Sequence, residues 1–387
     1  MSSVSIIKCK TYKKESVYQS VKKAINLIGG IDKIVKPGQN VLLKINLLSA
    51  QPPEKAITTH PSVVGAMVRL LKKAGTNVWV GDAAATGGMG EAINSRSKKE
   101  SCDPFDITGI REATEKEGGQ IVNFSRTGYI KIKIPGAKQL KQVYIARKVL
   151  DADIVISLPK LKTHTLTFLT GAVKNFFGCI PSSDRFRAHR LAQERKFAQA
   201  VVDVYSVCKP SLALMDAIVA MEGEGPSSGE PAKLGLLLAS NDCVSLDIVA
   251  SKIVGFRPQD ILTSKEAMAR GLGPHDLEEV TILGCKLKEV IKPDFKKPST
   301  YQGRIKRALI RVFTPVGIYF FRNFPVVKKS ACKRCGICME KCPANAITME
   351  PYPKIDYQKC IQCFCCHEFC PSRAIYIRKN WLRERLS

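Results

Sequence analysis

The sequence lacks long apolar runs. No uninterrupted apolar stretch reaches the ~20 residues that a membrane-spanning helix needs, and the opening MSSVSIIKCK has no apolar run of the kind found in leader peptides. We therefore expect a cytoplasmic protein. At 387 residues, 45% of them hydrophobic, the chain is long enough for two domains that each bury a core.

Acidic residues are also scarce. The chain has 34 of them against 61 basic residues, for a formal net charge of +27. The positive electrostatic field of such a chain attracts acidic partners. Nucleic acid, anionic lipid, an anionic small molecule and an acidic redox protein are all of this kind. A solvated surface excess with no partner is the remaining alternative. Nucleic acid is the least favoured partner, because the most basic segment, residues 301–329, lacks interleaved aromatic stacking and the named nucleic-acid motifs.

Cysteine is abundant in one region only. Nine of the fifteen cysteines lie between positions 332 and 370. They include two runs of the form C-x2-C-x2-C-x3-C-P, the spacing that holds cubane iron-sulfur clusters. The ligands of these runs are Cys332, Cys335, Cys338 and Cys342, followed by Pro343, and Cys360, Cys363, Cys366 and Cys370, followed by Pro371.

The fourth cysteine of each run is expected to serve the other cluster. The first three thiolates of a run wrap one cube, whereas the fourth begins a helix that points elsewhere and in two-cluster ferredoxins ligates the second cube. We therefore predict two [4Fe-4S] clusters, with the crossed ligand sets Cys332, Cys335, Cys338 and Cys370, and Cys360, Cys363, Cys366 and Cys342. Zinc is the alternative, but it would need two pairs of cysteines rather than two runs of four.

The cysteine region resembles the bacterial two-[4Fe-4S] ferredoxins. The resemblance includes ANAI (344–347) and SRAI (372–375) after each Cys-Pro, which makes Cys332 to Met349 and Cys360 to Ile377 an internal repeat. Cys365 and His367 lie outside the pattern. We expect both to be spectators, and a redox or ligand role for Cys365 is the alternative.

The rest of the chain alternates helical and strand patterns. Helices are predicted at 16–28 and 61–74, and strands at 40–48 and 77–81, followed by the strands DIVISLP, SLALMDA, LGLLLAS and VTILG. This alternation indicates parallel strands joined by crossover helices. We predict a doubly wound, mainly parallel α/β domain over 1–300, a basic and apolar linker over 301–329, and a small α+β ferredoxin domain over 330–387.

The linker has seven basic residues and no acidic one. One interpretation is a helix, broken at Pro315, that packs its apolar side on the neighbouring domains. The other is an interfacial segment, since an apolar body with a border of arginine and lysine can lie on an anionic membrane surface. The sequence therefore leaves peripheral membrane contact through 301–329 open.

Polar residues follow the predicted strands at the edge where ligands bind in open parallel sheets. Each of them could simply end a strand, but together they place lysines beside acids and a histidine, which suits an anion next to a proton donor or acceptor. The candidates are Lys44, Asn46, Asp82, Lys160, Lys162, His164, Asp216 and Glu222. The run GDAAATGGMG lacks both G-x-G-x-x-G and G-K-[ST], so no nucleotide site is predicted there.

Four segments resemble the prokaryotic family known as domain of unknown function 362. They are LPKLKTH, TGAVKNFFG, MDAIVAMEGEGPSSGEP and NDCVSLDIVASKIVG. The resemblance spans most of residues 1–260 and includes the ferredoxin tail, and it implies an architecture rather than a substrate. Lys44 departs from the family, because many relatives have lysine-proline-asparagine there. Matching positions add further candidates, namely Lys174, Asn175, Gly223, Gly225, Pro226, Asp242 and Asp247, although Asp242 could be a helix N-cap.

These observations favour an iron-sulfur oxidoreductase or electron-transfer protein. Lys160, Lys162 and Lys174 would hold an anionic substrate, and His164, Asp216 or Glu222 would complete the catalytic set. A cofactor-binding set is expected at Lys44, Asn46, Asp82, Asn175, Gly223, Gly225 and Asp247, although the organic cofactor is not identified by any motif.

An acidic ferredoxin or flavodoxin is the expected electron donor. Two alternatives remain: a subunit of a larger, membrane-associated redox complex without its own active site, and a nucleic-acid-binding protein with structural clusters.

Overall fold

The structure is a computed structural model, and it describes residues 2–83, 103–301 and 323–378. Most of the linker, residues 302–322, lies outside the described residues, as do 84–90 of GDAAATGGMG. The elements in chain order are β1 (Ser2–Lys8), α1 (Lys14–Leu27), β2 (Asn40–Ile45), α2 (Pro61–Lys73), β3 (Asn77–Asp82), α3 (Pro104–Ile107), α4 (Ile110–Lys116), β4 (Gln120–Asn123), α5 (Phe124–Thr127), β5 (Tyr129–Lys133), β6 (Gln142–Ala146), α6 (Arg147–Asp151), β7 (Ile154–Leu158), β8 (Lys160–His164), β9 (Phe168–Leu169), α7 (Ala172–Asn175), α8 (Ser182–His189), α9 (Glu194–Cys208), β10 (Leu212–Glu222), β11 (Glu230–Ser240), α10 (Cys243–Ile253), α11 (Leu262–Met268), β12 (Val280–Gly284), β13 (Phe324–Val327), α12 (Ile337–Glu340), β14 (Ile347–Glu350), β15 (Tyr352–Ile355), α13 (Cys365–Glu368) and β16 (Ile375–Arg378).

One large sheet organises the N-terminal domain. Its strand order is β12-β1-β11-β10-β7-β2-β3-β4, with β8 beside β10 and β9 beside β8. Most neighbours are parallel, including the β10-β7-β2-β3-β4 series. The predicted mainly parallel α/β fold is confirmed.

Strand β11 differs from the predicted pattern, because it runs antiparallel to both β1 and β10. Residues 223–229, which connect β10 to β11, are too few for a parallel crossover, which needs a dozen residues or more. The segment 216–231 therefore comprises the end of β10, a short turn and the start of β11. Asp216 lies inside β10 rather than at its end.

The sheet is covered on both faces, because successive side chains of a strand point to opposite sides. Along β2, Val41 and Leu43 pack with the apolar faces of α1 and α2. Leu42, between them, belongs to the opposite core, which is shared with α9 and α10. Burial on both faces explains why β2 reads as a continuous apolar run.

The C-terminal unit is a duplicated fold with a repeat of 28 positions. β13 and β15 begin at 324 and 352, α12 and α13 at 337 and 365, and β14 and β16 at 347 and 375. The halves exchange partners, since β13 pairs with β16 and β14 pairs with β15. Strand β13 falls in the segment assigned to the linker, so this ferredoxin-like unit starts before residue 330.

The two halves also share left-handed backbone positions. Positive φ angles occur at three pairs of equivalent residues, Arg334 and Gln362, Gly336 and Phe364, and Asn345 and Arg373. Within the described residues, no helix is long and apolar enough to span a bilayer.

Candidate cluster and anion sites

The C-terminal unit brings the cysteines into two groups. Burial raises the pKa of Cys338 to about 11, and the neighbouring thiols that add to the increase are those of Cys335, Cys370 and Cys332. Burial likewise raises the pKa of Cys366, beside the thiols of Cys363, Cys360 and Cys342, with Cys338 a further neighbour. Cys370 therefore lies near Cys338 of the first run, and Cys342 lies near Cys360 and Cys366 of the second.

Backbone amides point at the sulfur atoms of this unit. Ala346 N donates to Cys342 Sγ and Ala374 N donates to Cys370 Sγ, both at 3.2 Å, and Arg334 N donates to Cys332 Sγ at 3.4 Å. Hydrogen bonds to sulfur are one of the means by which a protein tunes an iron-sulfur cluster. The residues present therefore fit [4Fe-4S] binding.

A single metal ion would need a different arrangement. Across 2–83, 103–301 and 323–378, no group of three or more histidine, cysteine or acidic side chains is placed to hold one ion. A single ion draws its ligand sulfurs together around one point, whereas a cubane holds them at separate corners. Cys365, the extra thiol, is fully buried in α13.

A cavity lies between the N-terminal domain and the cluster unit. The N-terminal domain contributes cations to its lining, and the cluster unit contributes residues from two stretches, one between Cys338 and Cys342 and one between Cys366 and Cys370. Its charged and aromatic lining residues are Lys44, Asp82, Lys162, Lys174, Phe177, Arg185, Phe186 and His189 from the first, and Lys341, Glu368 and Phe369 from the second.

A buried ion pair lies at one side of this cavity. Lys44 Nζ lies 2.9 Å from Asp82 Oδ2 and also donates to the carbonyl of Ile45 at 2.6 Å. Asp82 Oδ2 accepts a second hydrogen bond from Leu47 N at 2.8 Å. Burial raises the pKa of Asp82, and Lys44 opposes that increase. The pair joins the ends of β2 and β3 at the cavity.

Asn175 connects this pair to α7. Its Nδ2 donates to the carbonyl of Lys44 at 2.9 Å and to Ser157 Oγ at 3.1 Å, while Asn46 Nδ2 donates to Asn175 Oδ1 at 3.4 Å. Lys44, Asp82 and Asn175, which come from three separate segments of the sequence, thus meet in one network.

Asp247 holds α7 in place from outside the cavity. Its carboxylate accepts from Ala172 N at 2.6 Å and from Val173 N at 3.1 Å. Burial raises its pKa to about 7. Gly171 allows the approach, since a Cβ there would lie 2.3 Å from Asp247 Oδ1. Asp247 therefore positions Lys174 and Asn175 without lining the cavity itself.

Within the described residues neither Lys162 nor Lys174 forms a salt bridge, although Glu368 acts electrostatically on both. Lys162 Nζ donates to the carbonyl of Ile57 at 2.7 Å, and burial, with Lys174 next, lowers its pKa to about 7. Lys174 Nζ lies 5.6 Å and 5.8 Å from the ring centroids of Phe177 and Phe197. Burial also lowers the pKa of Lys174.

Four buried polar atoms around this cavity have no hydrogen-bond partner among the described residues. They are Asn46 Oδ1, Thr170 Oγ1, Arg185 Nε and His189 Nδ1. Unpaired buried polar atoms are rare in native proteins because each one loses its hydration. Their concentration around one cavity indicates a place for a polar ligand.

Lys160 and Asp216 belong to a separate network. Lys160 Nζ lies 2.8 Å from Asp216 Oδ2, and Tyr12 OH donates to Asp216 Oδ1 at 2.9 Å. His60 stacks on Tyr12 with ring centroids 3.5 Å apart, and its amide donates to Asp216. Neither Lys160 nor Asp216 lines the cavity. Their geometry favours a structural ion pair over the predicted catalytic role.

His164 is also placed apart from the cavity lining. Its Nδ1 accepts from Leu166 N at 3.0 Å, and burial holds its pKa well below the usual value. A neutral imidazole that accepts at Nδ1 carries its proton on Nε2.

The glycine-rich turn after β10 shapes the boundary between the two units. Glu222 accepts from Lys296 N at 2.9 Å, and Gly223, with a φ of 74°, donates to the carbonyl of Lys296. A Cβ on Gly225 would lie 2.2 Å from the carbonyl oxygen of Thr163. These residues lie outside the cavity lining, which Pro226 reaches.

Direct hydrogen bonds join the two units. Ser227 Oγ donates to the carbonyl of Glu368 at 2.7 Å, and Arg190 Nε donates to the carbonyl of Pro343 at 3.1 Å. His367 Nδ1 lies 2.6 Å from the carbonyl oxygen of Ile375 and its Nε2 lies 3.3 Å from that of Glu224. His367, expected to be a spectator, is buried at this boundary.

Three lining residues, Arg185, His189 and Glu368, are not among the residues that the sequence predicted. The first two lie in DRFRAHR, a basic run shortly after TGAVKNFFG, and that proximity was the available signal. Glu368 lies inside the second cysteine run, where only the thiols drew attention. The other matched acid, Asp242, is the N-cap of α10, accepting from Ser245 N at 2.6 Å.

Comparisons with known proteins agree with this architecture. Residues 41–252 match the family described as Domain of unknown function (DUF362), and 325–348 match the 4Fe-4S binding domain. The chain is 32% identical over 332 residues to a thylakoid-associated protein of Synechocystis sp., covering 82% of this chain and 98% of that protein.

A solved structure with some likeness is the lactate racemase apoprotein from Thermoanaerobacterium thermosaccharolyticum. It aligns at 10% identity with a TM-score of 0.38, over 62% of this chain and 54% of that chain. The family match and the curated relative carry the assignment: the chain belongs to the DUF362 family and carries a 4Fe-4S binding domain.

Proposed function

We propose that this protein is an iron-sulfur oxidoreductase in which two [4Fe-4S] clusters exchange electrons with an anionic substrate or cofactor bound in the cavity. The clusters, when bound, supply one-electron transfer. The observation that carries the proposal is the position of the cavity, which has cations of the N-terminal domain on one side and Glu368 and Phe369, between Cys366 and Cys370, on the other.

The charges around the cavity favour an anion. Lys174, Arg185 and Lys341 line it, and in the described part of the chain the only carboxylate bridge among them is the one between Lys341 and Glu340. Charge-assisted hydrogen bonds from such groups are about twice as strong as neutral ones. The unpaired Arg185 Nε and Thr170 Oγ1 would donate to ligand oxygens, and Asn46 Oδ1 would accept from a ligand hydroxyl or amine.

Proton transfer would fall to groups inside the cavity. His189 Nδ1 has no partner among the described residues, and burial lowers the pKa of His189 to about 4, so the imidazole is neutral near pH 7. A neutral imidazole can accept a proton from a bound ligand and return it. This role replaces the one that the sequence suggested for His164, which lies outside the lining.

An acidic electron donor, such as a ferredoxin or flavodoxin, suits the net charge of +27. Electrostatic attraction between oppositely charged proteins raises their association rate, and salt screens it. The rate of cluster reduction by such a donor should therefore fall as ionic strength rises.

The test is a ligand-dependent change in cluster behaviour. Protein reconstituted anaerobically should carry about eight irons per chain if both runs hold a cubane. Small carboxylates and phosphates would then be screened for a shift in cluster reduction potential. Arg185→Gln should weaken the binding of the anion that shifts the potential by about tenfold or more, which corresponds to about 1.4 kcal/mol. Arg195→Gln, at an exposed position, is the matched control.

The opposite results would reject the proposal. A preparation without iron would remove the redox function. Iron-loaded protein whose potential responds to anions equally in Arg185→Gln and in wild type would separate the cavity from the clusters.

We also propose, as a second candidate, an electron-transfer subunit of a membrane-associated complex, because a relative covering 82% of this chain is described as thylakoid-associated. Contact would run through the basic segment 301–329. Co-sedimentation with anionic vesicles, compared with neutral ones, tests it. Replacement of Arg304, Lys306, Arg307 and Arg311 by glutamine should abolish the binding, and binding that is insensitive to these changes would exclude this segment.

A further inference from the structure

Three buried lysines at the carboxyl edge of the sheet have different partners. Lys44 Nζ lies 2.9 Å from Asp82 Oδ2, and Lys160 Nζ lies 2.8 Å from Asp216 Oδ2. Lys162 has no carboxylate partner among the described residues, and its Nζ donates to the carbonyl of Ile57. Only the first and third of these lysines line the cavity.

The partner decides whether the amine can react. A carboxylate holds the proton on a buried lysine, because separating the pair would leave a buried charge alone. A backbone carbonyl accepts one N–H and leaves the nitrogen lone pair of a neutral amine free. Burial next to another cation is an established way of making a lysine nucleophilic, and Lys174 is the cation beside Lys162.

We propose that Lys162 is the nucleophile of the cavity and forms a Schiff base with an anionic carbonyl compound, a 2-oxo acid being the simplest class. The amine nitrogen bonds to the carbonyl carbon, and the carbonyl oxygen leaves as water with the two protons of the neutral amine. No electron is gained or lost in this step. It rests on the ligand cavity of the proposed function but does not require the clusters.

The remaining polar groups suit the acid function of such a compound. A 2-oxo acid carries its carboxylate directly beside the reactive carbonyl. Arg185 Nε and Thr170 Oγ1 are buried donors without partners in the described part of the chain, and both line the cavity with Lys162. Lys162 therefore changes its predicted role from holding the anion to attacking the carbonyl, while Arg185 and Lys174 hold the anion.

The experiment is reductive trapping with a known probe. Full-length reconstituted protein would be incubated anaerobically with pyruvate and cyanoborohydride, which reduces an imine to a stable secondary amine. Intact mass and peptide mapping should find the adduct on Lys162, formed at least about tenfold faster than on exposed lysines, because an amine with a pKa near 7 is far more often neutral than one near 10.5.

Two controls are built into the chain and the probe. Lys160, two residues away and equally buried, should remain unmodified because it lies outside the cavity lining and Asp216 opposes the loss of its proton, although burial lowers its pKa. Lactate, which has the same carbon chain without the carbonyl, should give no adduct. Lys162→Arg should lose the adduct while retaining the iron content and circular dichroism of the wild type.

The pH profile offers a second readout. Lys174, Glu368, Lys160 and Asp82 are the charged groups that act on Lys162. Because loss of the ammonium proton frees the lone pair, trapping at Lys162 should rise through pH 7 and level off above it. Exposed lysines should show an increase only at much higher pH.

The possible outcomes separate this proposal from the proposed function. Modification restricted to exposed lysines, or equal modification of Lys160 and Lys162 in wild type, overturns the Schiff-base site. This mapping needs no variant, so it decides the question even if Lys162→Arg does not fold. Trapping at Lys162 in protein whose clusters ignore anions would instead reject the oxidoreductase proposal alone.

Discussion

Gly178 and Asp82 approach so closely that a side chain at position 178 would displace the carboxylate. A Cβ on Gly178 would lie 2.5 Å from Asp82 Oδ1 and 2.9 Å from Lys44 Nζ. The turn after α7 therefore closes directly over the buried ion pair. Two strands and this turn meet at one point, and the same three residues line the cavity.

Removal of one partner of this pair should be costly. Asp82→Asn leaves Lys44 as a buried charge without a counter-ion, which typically lowers the free energy of unfolding by about 3–5 kcal/mol. Urea denaturation followed by circular dichroism measures the change. Glu15→Gln is the matched control, since it breaks the exposed pair with Arg69 at 2.9 Å and such pairs contribute about 1 kcal/mol or less. Equal effects of the two substitutions would show that Lys44 and Asp82 are not coupled.

Gly178→Ala should disturb the cavity more than the fold. Insertion of a methyl group into a packed site typically costs about 1–3 kcal/mol, and here the displaced groups are Asp82 and Lys44. We expect a larger loss of anion affinity in the potential-shift titration, because the displaced groups line the cavity. Gly65→Ala is the control, because its Cβ would lie 3.2 Å from the carbonyl oxygen of Ala113, in α4 and outside the cavity lining. Anion affinity unchanged by Gly178→Ala would place the ligand elsewhere.

His189 should make stability depend on pH in a defined window. Burial, reinforced by Lys174 and Arg185 and opposed by Glu368, lowers its pKa from 6.5 to about 4. As pH falls, the imidazole binds its proton in the unfolded chain before it does so in the folded protein. The contribution of His189 to the free energy of unfolding is therefore complete above pH 6.5 and is lost as pH falls toward 4. The difference in unfolding free energy between wild type and His189→Gln should shrink by roughly 1–3 kcal/mol over that range.

The control for this prediction is His275→Gln, which removes an exposed imidazole. A wild-type minus His189→Gln difference that stays constant between pH 6.5 and 4 would contradict the desolvated state of His189. The same titration performed with a bound anion would report whether the ligand contacts the ring.

Local sequence pattern predicted β2, β3, β7, β10, β11 and β12 and the positions of Lys44 and Asp82, whereas Asn175 was predicted only from the family resemblance. Strand β2 reads as an apolar run because both of its faces are buried, and its carboxyl end follows from that reading. The 28-position repeat was visible in the cysteine spacing, although its first strands were not. The sequence signal for these two strands was an aromatic residue followed by proline at equivalent positions of the repeat, namely Phe324-Pro325 and Tyr352-Pro353.

Sequence pattern could not separate Lys160 from Lys162. The two alternate along β8 and should share one side of the strand. In the structure Lys160 pairs with Asp216 across the two strands and Lys162 pairs with Met221, because the register between β8 and β10 shifts between these positions. That irregularity gives one lysine a carboxylate and the other only a carbonyl. Glu368 was missed for a similar reason, since its place at the cavity depends on the docking of two distant segments.

The crossed arrangement of cluster ligands can be tested by combining substitutions. Cys332→Ser should lower the iron content from about eight to about four per chain by removing one cubane. If Cys370 ligates the same cluster, Cys332→Ser with Cys370→Ser should still retain about four irons. Cys360→Ser with Cys370→Ser should then lose nearly all iron, because the two substitutions remove ligands of different clusters.

Ligation within each run predicts the reverse pattern, so iron analysis alone distinguishes the two arrangements. Under that alternative, Cys360→Ser with Cys370→Ser would keep about four irons, and Cys332→Ser with Cys370→Ser would keep almost none. Cys365→Ala is the matched control, since it removes a buried cysteine of the same run and should leave the iron content of wild type. Loss of a cluster in Cys365→Ala would instead make this fifth thiol a ligand, and would reassign the second set.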